Sequence, residues 1–505
     1  MNKPARSILL FACILLLIPG LLSAQQVFLT ILHTNDTHGH LLPFSYPSVV
    51  PPGSELAGLK TRADIGGIAR RATLVKRLRE ELGKQGVTVW LMDAGDFSDG
   101  TSFSTEYHGE ADAAAMNAVG YDVATIGNHE LNNPLARLKS LLALFHYSIL
   151  CANVTVNSTG ETLLPASQIR EAGPVKIGIF GLTTISARRY PASRDALTIA
   201  GEVETSQRMA KALRTKADLV IALSHSGENV DQQIAAAVPG VDIIVGGHSH
   251  SRLPVGEFVW RSNELKADNV NGTVIVQAHQ WGGELGRLDL LLGKSSSGVW
   301  RVERYRASLI PITPDVPEDK TVAAVVDRFW KPISARFGEL IGQAAADFIE
   351  RGDDLAPYNL MADSIRESFG TDIELENMGG VRSPLVKGKI TREDLVDMDP
   401  FENNIVTFKI TGRQLLDVLK SQLPAVSGLR YRVESGSIVE ATIAGQPVKN
   451  DRIYTGATNS YFAGVALHGM ETKDTGKKPV EVLADYIRKK GTVRPVFDGR
   501  RVILY

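Results

Sequence analysis

From Val27 to about Leu292, short apolar runs alternate with amphipathic stretches. The runs at 27–32, 87–92, 123–126, 175–180, 219–224, 243–245 and 274–277 are rich in Val, Ile and Leu and have strand length. Apolar residues at 68, 74, 75, 78 and 82, set among basic ones, predict a half-buried helix over 68–82, and a second is predicted over 111–119. Residues 46–58, rich in Pro, Ser and Gly, predict a loop, and 293–298 a hairpin turn between two further strands. Prolines at 311, 314 and 317 then interrupt regular structure, and 319–340 is predicted as a helix that Pro332 bends or breaks. A second set follows, with helices at 358–369 and 412–423 and strands at 373–376 and 405–410. The pattern is that of an α/β (α+β) chain with domains at 25–310 and 341–505, joined by a linker helix at 311–340.

A chain of 505 residues exceeds one ordinary core, which agrees with two domains. Hydrophobic content of 44%, charged content of 22% and a formal charge of −1 give no basis for binding a nucleic-acid polymer or a membrane surface. Lys3 and Arg6 precede an apolar run from Ile8 to Leu22 that Pro19-Gly20 breaks, and Leu22-Ser-Ala24 follows. That reads as a signal peptide over 1–24, a leader removed on the way to the periplasm or medium. An uncleaved anchor is the alternative, and no later segment has membrane-spanning length, so no stable membrane insertion is expected after cleavage. Only Cys151 would then remain, as a small buried residue, and metal ligands would have to be His, Asp or Asn.

Such ligands recur at strand ends. The first strand runs into Asn35-Asp36-Thr-His38, and an extended Asp-x-His projects both side chains to one side. The next strands run into Asp93-Ala-Gly-Asp96, Gly127-Asn-His-Glu130, His225-Ser-Gly227 and Gly246-Gly-His-Ser-His250. Loops at the carboxyl ends of parallel strands converge, which would gather Asp36, His38, Asp96, Asn128, His129, His225, His248 and His250. Mixed oxygen and imidazole donors suit Zn, Mn or Fe rather than calcium. There are enough ligands for two ions, and a carboxylate bridging ions ~3.5–4 Å apart is the usual arrangement for phosphoester hydrolysis.

These five motifs resemble the calcineurin-like metallophosphoesterases. Leu32-His-Thr-Asn-Asp-Thr-His38, Tyr121-Asp122 and Gly127-Asn-His-Glu130 are similar to the secreted 5′-nucleotidases in particular, as are Glu376-Asn-Met-Gly-Gly-Val-Arg-Ser-Pro384 and Asp399-Pro-Phe-Glu-Asn403 in the second half. The resemblance implies a metallophosphoesterase β-sandwich flanked by helices, followed by a smaller α/β substrate-binding domain. It implies one divalent ion on Asp36, His38, Asp96 and His250 and another on Asp96, Asn128, His225 and His248. His129 would be the catalytic histidine, and a metal-activated water would release phosphate from nucleoside 5′-monophosphates. UDP-sugars, 2′,3′-cyclic nucleotides or 3′-nucleotides are alternative substrates for the same site, and a non-catalytic nucleotide-binding relative is a third reading. The resemblance leaves the oligomeric state open.

In the second domain the resemblance assigns substrate contacts to Arg351, Asn377, Arg382 and Phe401, with Tyr461 as a second aromatic; ordinary core packing is the alternative for Phe401. A domain rotation would carry substrate from the base-binding surface to the metals. Two positions depart from the family. Asn132 stands where an Asp pairs with the catalytic histidine, and an amide can orient His129 but cannot balance an imidazolium. After Tyr461 the family's Gly-Gly-Asp-Gly is absent, and the chain reads Val465-Ala-Leu-His-Gly469. His33 is expected to be buried behind the first motif and His40 to approach the site or be solvated. His108, His146, His279 and His468 are expected to be structural or on the surface.

Overall fold

In the computed structural model, residues 26–48, 50, 55–261 and 272–504 are described. The proposed leader lies outside them.

Two six-stranded sheets form the first half of the molecule. In one, Gln26–Thr34 pairs in parallel with Thr88–Asp93, which pairs with Val123–Thr125 and then Ser148–Leu150. On its other side it pairs antiparallel with the hairpin of Glu284–Lys294 and Trp300–Pro311. In the second sheet, Val175–Thr183, Leu219–His225, Ile243–Gly246 and Gly272–Val276 run parallel between antiparallel edges.

The continuous apolar runs follow from burial on both faces. Leu29, Ile31, Trp90 and Met92 of one sheet pack against Ile177, Leu219, Ile221 and Val245 of the other. Their neighbours Leu32 and Leu91 turn outward beneath the helix Ile68–Gly83, and Val220 and Ala222 lie beneath the helices Glu202–Leu213 and Glu228–Ala237. Each fully buried Leu, Ile or Val contributes roughly 1.5–3 kcal/mol. The fold is therefore a helix-flanked β-sandwich, as the sequence implied.

Ser148–Leu150, Ser167–Ala172 and Glu257–Trp260, which the sequence pattern did not single out, are all sheet edges. An edge strand needs no unbroken apolar run, so its signal is weak. The predicted loop contains a single 3₁₀ turn at Glu55–Gly58; residues 49 and 51–54 lie outside the described set.

The helix Lys320–Phe337 runs through Pro332, so of the two expected effects a break does not occur. Asp319 caps it, accepting from the backbone N–H groups of Thr321 and Val322 at 2.9 and 3.1 Å. Its first turns bury Val322 and Val326 among the helices of the sandwich. Past the proline, Ile333 and Phe337 pack with Val396 of the second half. That half holds a five-stranded sheet including Ile373–Glu376, Ile405–Thr411 and Ile453–Asn459, together with smaller sheets and the packed helices Ala356–Phe369 and Pro479–Lys490. Among the described residues no helix is long and apolar enough to cross a membrane.

Candidate metal centre and substrate cavity

The parallel strands of both sheets end at one side of the sandwich, and their loops are stitched together there. The backbone N–H groups of Asp36, His38 and Gly39 donate to the carbonyls of Gly95, Asp96 and Phe97 at 2.9–3.0 Å. Asp36, His38, Asp96, Asp99, His248 and His250 all have positive φ, between 48° and 75°. That conformation costs L-residues of order 1 kcal/mol or more each, and such strain collects where function fixes side-chain direction. At Gly127 a side chain is excluded outright, because a β-carbon would fall 2.0 Å from Asp96 Oδ1.

Among the described residues, three sets each bring their donor atoms within 4.8 Å of one another: Asp36, His38 and His250; Asp96, His225 and His248; and His38, Asp96 and His129. Asp96 Oδ2 stands 3.8 Å from His38 Nε2 and 3.0 Å from His225 Nε2, between the first two sets. Asp36 Oδ1 is 3.3 Å from His250 Nε2. The ring nitrogens that face away are held by carbonyls, His225 Nδ1 by Ala94 at 2.8 Å and His38 Nδ1 by Asp99 at 3.0 Å, so each Nε2 points inward.

The donors fit cations. His225 Nε2 is buried and close to Asp96 but lacks hydrogen-bonding geometry, and Asn128 Oδ1 is buried with no partner. Asn128 Nδ2 donates to Tyr190 Oη at 2.7 Å, which leaves the oxygen as the free donor atom of that side chain. Burial opposes charge on Asp96, but His225 and His129 outweigh it and hold the carboxyl well below its usual range. Burial keeps His248 neutral, lowered to about 4, with its lone pair available. Burial also opposes charge on His225, yet Asp96 raises it to about 10; a bound cation would take that proton's place.

Glu130 organises the loops from beneath. Its carboxylate accepts from the backbone N–H groups of Asp96, Gly127 and Ser98 at 3.0, 2.7 and 3.1 Å, fixing two ligand-bearing loops to each other. His129 stands at the front of the cluster, its ring 4.8 Å from that of His38. Its Nδ1 lies 2.7 Å from Asp99 Oδ2. Burial works against protonation of His129, but Asp96 and Asp99 raise its pKa above the ordinary value.

A cavity of about 680 Å³ opens in front of His129. Asn377, Arg382, Phe401 and Tyr461 line it from the second half of the chain. Arg382 Nη2 is 3.3 Å from His38 Nε2, and the Phe401 ring stacks 6.3 Å from that of His129. Arg382 and Phe401 thus lie directly against His38 and His129. Arg351 does not line the cavity: its guanidinium sits 4.0 Å over the Phe497 ring. Around Tyr461, where the chain lacks Gly-Gly-Asp-Gly, Ser460–Ala466 forms a short helix capped by Asn459.

Arg137, Arg189 and Arg194 face the cavity from the sandwich side, and sequence reading did not single them out. They belong to segments without a motif, and only the fold brings them to the site. Of the other histidines, His33 is buried and packs on Gly286, where a β-carbon would meet its ring at 2.2 Å. His40 is neither solvated nor at the cluster; it is buried and stacked 4.6 Å from Trp281. His108 caps the helix Ser102–Tyr107 and reaches the cavity wall. Cys151 is buried, and burial pushes its thiol up to about 12.

A two-sheet sandwich whose strand-end loops gather imidazoles around a shared carboxylate defines a hydrolase of the metallophosphoesterase class. Residues 29–252 match the calcineurin-like phosphoesterases, and residues 340–468 match the 5′-nucleotidase C-terminal domain. The chain is 27% identical to a 5′-nucleotidase of Vibrio vulnificus, over 92% of this chain and 91% of that one. It is 26% identical to the trifunctional nucleotide phosphoesterase protein YfkN of Bacillus subtilis over 94% of this chain, but spans only 34% of that longer protein. The crystal structure of a 5′-nucleotidase precursor from Thermus thermophilus superposes with a TM-score of 0.83 at 26% identity, covering 94% of this chain and 99% of that one. The chain thus joins a region matched by the calcineurin-like phosphoesterase model to one matched by the 5′-nucleotidase C-terminal domain model. It is a metal-dependent phosphoester hydrolase, and calcineurin-like phosphoesterases use a dinuclear divalent metal site.

Proposed function

We propose that this protein is a 5′-nucleotidase that releases phosphate from nucleoside 5′-monophosphates. The observation that carries the reading is the juxtaposition of two His/Asp sets, meeting at Asp96, with a cavity that bears Arg382, Phe401 and Tyr461. Asp36, His38, Asp96 and His250 would hold one divalent ion and Asp96, Asn128, His225 and His248 the other, Zn, Mn and Fe being the suitable metals. When bound, the pair would lower the pKa of a water and neutralise charge on the phosphoryl oxygens.

The chain's own residues do the rest. Arg382, beside His38, supplies a planar fork of donors for phosphate oxygens. His129, with Nδ1 tied to Asp99, presents Nε2 towards the cavity to donate a proton to the departing ester oxygen. Phe401 and Tyr461 offer ring faces to a base, and stacking of that kind tolerates purines and pyrimidines alike. Residues 1–24 are read as a cleaved leader, which puts the working enzyme in the periplasm or medium. The helix around Pro332 is taken as the connection between a catalytic domain ending near 310 and a substrate domain beginning near 341.

Phosphate release by the metal-reconstituted protein from AMP, UDP-glucose, a 3′-nucleotide and phenyl phosphate tests the reading. AMP is expected to be the best substrate, and hydrolysis of the phenyl ester without AMP would sink the nucleotidase assignment. A second reading, hydrolysis of UDP-sugars, is favoured by Arg137, Arg189 and Arg194, which could meet a second phosphate. Tyr461→Ala is expected to raise KM for AMP about tenfold, since a base–aromatic stack contributes ~1–3 kcal/mol, and to leave phenyl phosphate kinetics unchanged. An equal change for both substrates would remove Tyr461 from base recognition.

A further inference from the structure

The residue expected to pair with His129 is an amide, Asn132, and yet His129 has a carboxylate on its Nδ1. It comes from a different loop. Asp99 lies three residues beyond Asp96, and its Oδ2 is 2.7 Å from His129 Nδ1, with little solvent at either side chain. Asn132 Nδ2 donates to that same oxygen and stands 3.4 Å from His129 Nδ1. An ionised carboxylate can only accept, so the arrangement places hydrogen on Nδ1 and turns Nε2 to the cavity.

Asp99 is itself firmly held. Its φ is +70°, a conformation that Asp and Asn tolerate better than most residues. Its backbone N–H donates to Ser104 Oγ at 2.8 Å, and its carbonyl accepts from His38 Nδ1 at 3.0 Å. One residue therefore aims two imidazoles, His38 through its backbone and His129 through its side chain. Asn132 also makes sense in this light. A carboxylate at 132 would sit against that of Asp99, and two such groups in contact cannot both ionise without mutual cost. An amide instead donates to Asp99 and steadies it.

We propose that Asp99 is the positioning residue for His129, supplying from another loop the carboxylate that position 132 lacks in this chain. The proposal builds on His129 acting as proton donor in the phosphoester hydrolysis read above. Asp99→Asn keeps the backbone carbonyl for His38 and the tolerance for positive φ, so folding and metal content should stay as in the parent.

The test is steady-state hydrolysis of phenyl phosphate and 4-nitrophenyl phosphate by Asp99→Asn and by Asp99→Asn/Asn132→Asp, with bound metal measured in both proteins. The single variant is expected to lose about 10²-fold in kcat on the phenyl ester, whose leaving oxygen needs the proton, with KM little changed. On the nitrophenyl ester, a better leaving group, the loss should be below about tenfold. The double variant, with a carboxylate restored opposite His129, should regain at least about tenfold on the phenyl ester. Equal losses on the two esters, no recovery in the double variant, or a single variant empty of metal would each overturn the proposal. Because both probes lack a base, the outcome stands apart from the nucleotidase assignment, which fails separately if AMP is not hydrolysed.

Discussion

Asp96→Asn is expected to leave the folded protein nearly inactive, with kcat reduced about 10³-fold or more and less than two ions bound per chain. The substitution preserves shape but removes the negative charge that lies 3.0 Å from His225 and 3.8 Å from His38. That charge belongs to the set with His225 and His248 and stands beside His38 of the other set, so its loss weakens both. Metal-assisted stabilisation of phosphoryl transfer is worth several kcal/mol, and about 4 kcal/mol corresponds to ~10³-fold in rate. Metal analysis of reconstituted protein, alongside phosphate release, checks the expectation. Two ions retained with near-parent turnover would show that Asp96 is not shared.

His129→Ala should separate chemistry from metal binding. Loss of a positioned proton donor typically costs about 10²–10⁴-fold, so kcat should fall by that much. Bound metal should stay at the parent level, although His129 lies within 4.8 Å of His38 and Asp96 in one of the three donor sets. Its ring nitrogen Nδ1 is already engaged by Asp99, and its backbone N–H donates to Asp96 Oδ1 at 2.8 Å, a contact that alanine keeps. The metal-facing oxygen of Asp96 should therefore remain in place. A variant that turns over normally, or one that comes out empty of metal, would show that His129 has been assigned the wrong task.

Much of the site was legible because its donors are attached to strong strands. Runs such as Leu219–His225 are buried on both faces, which forces Val, Ile and Leu at successive positions and makes the strand end easy to locate. The polar residue that follows then stands out. Position alone could not show which side chain meets His129, because Asp99 and Asn132 lie on different loops and both can reach that ring. An Asp three residues after Asp96 was a signal available in the sequence, but nothing local distinguishes it from a solvated turn. Arg351 illustrates the reverse case: an arginine whose guanidinium lies over Phe497 and not in the cavity wall.

The sequence by itself determined the sandwich strands, the order of the motifs and the identity of the donors, since each depends on burial pattern or on chemistry carried by a short segment. It also marked the second half of the chain as the bearer of Arg382, Phe401 and Tyr461. Tertiary structure alone decided what touches what: the meeting of both donor sets at Asp96, the pairing of Asp99 with His129, and the arrival of Arg137, Arg189 and Arg194 at the cavity. Those contacts join residues far apart in the chain. Their geometry is set by sheet packing and loop-to-loop hydrogen bonds, which no local pattern of hydrophobic and polar positions encodes.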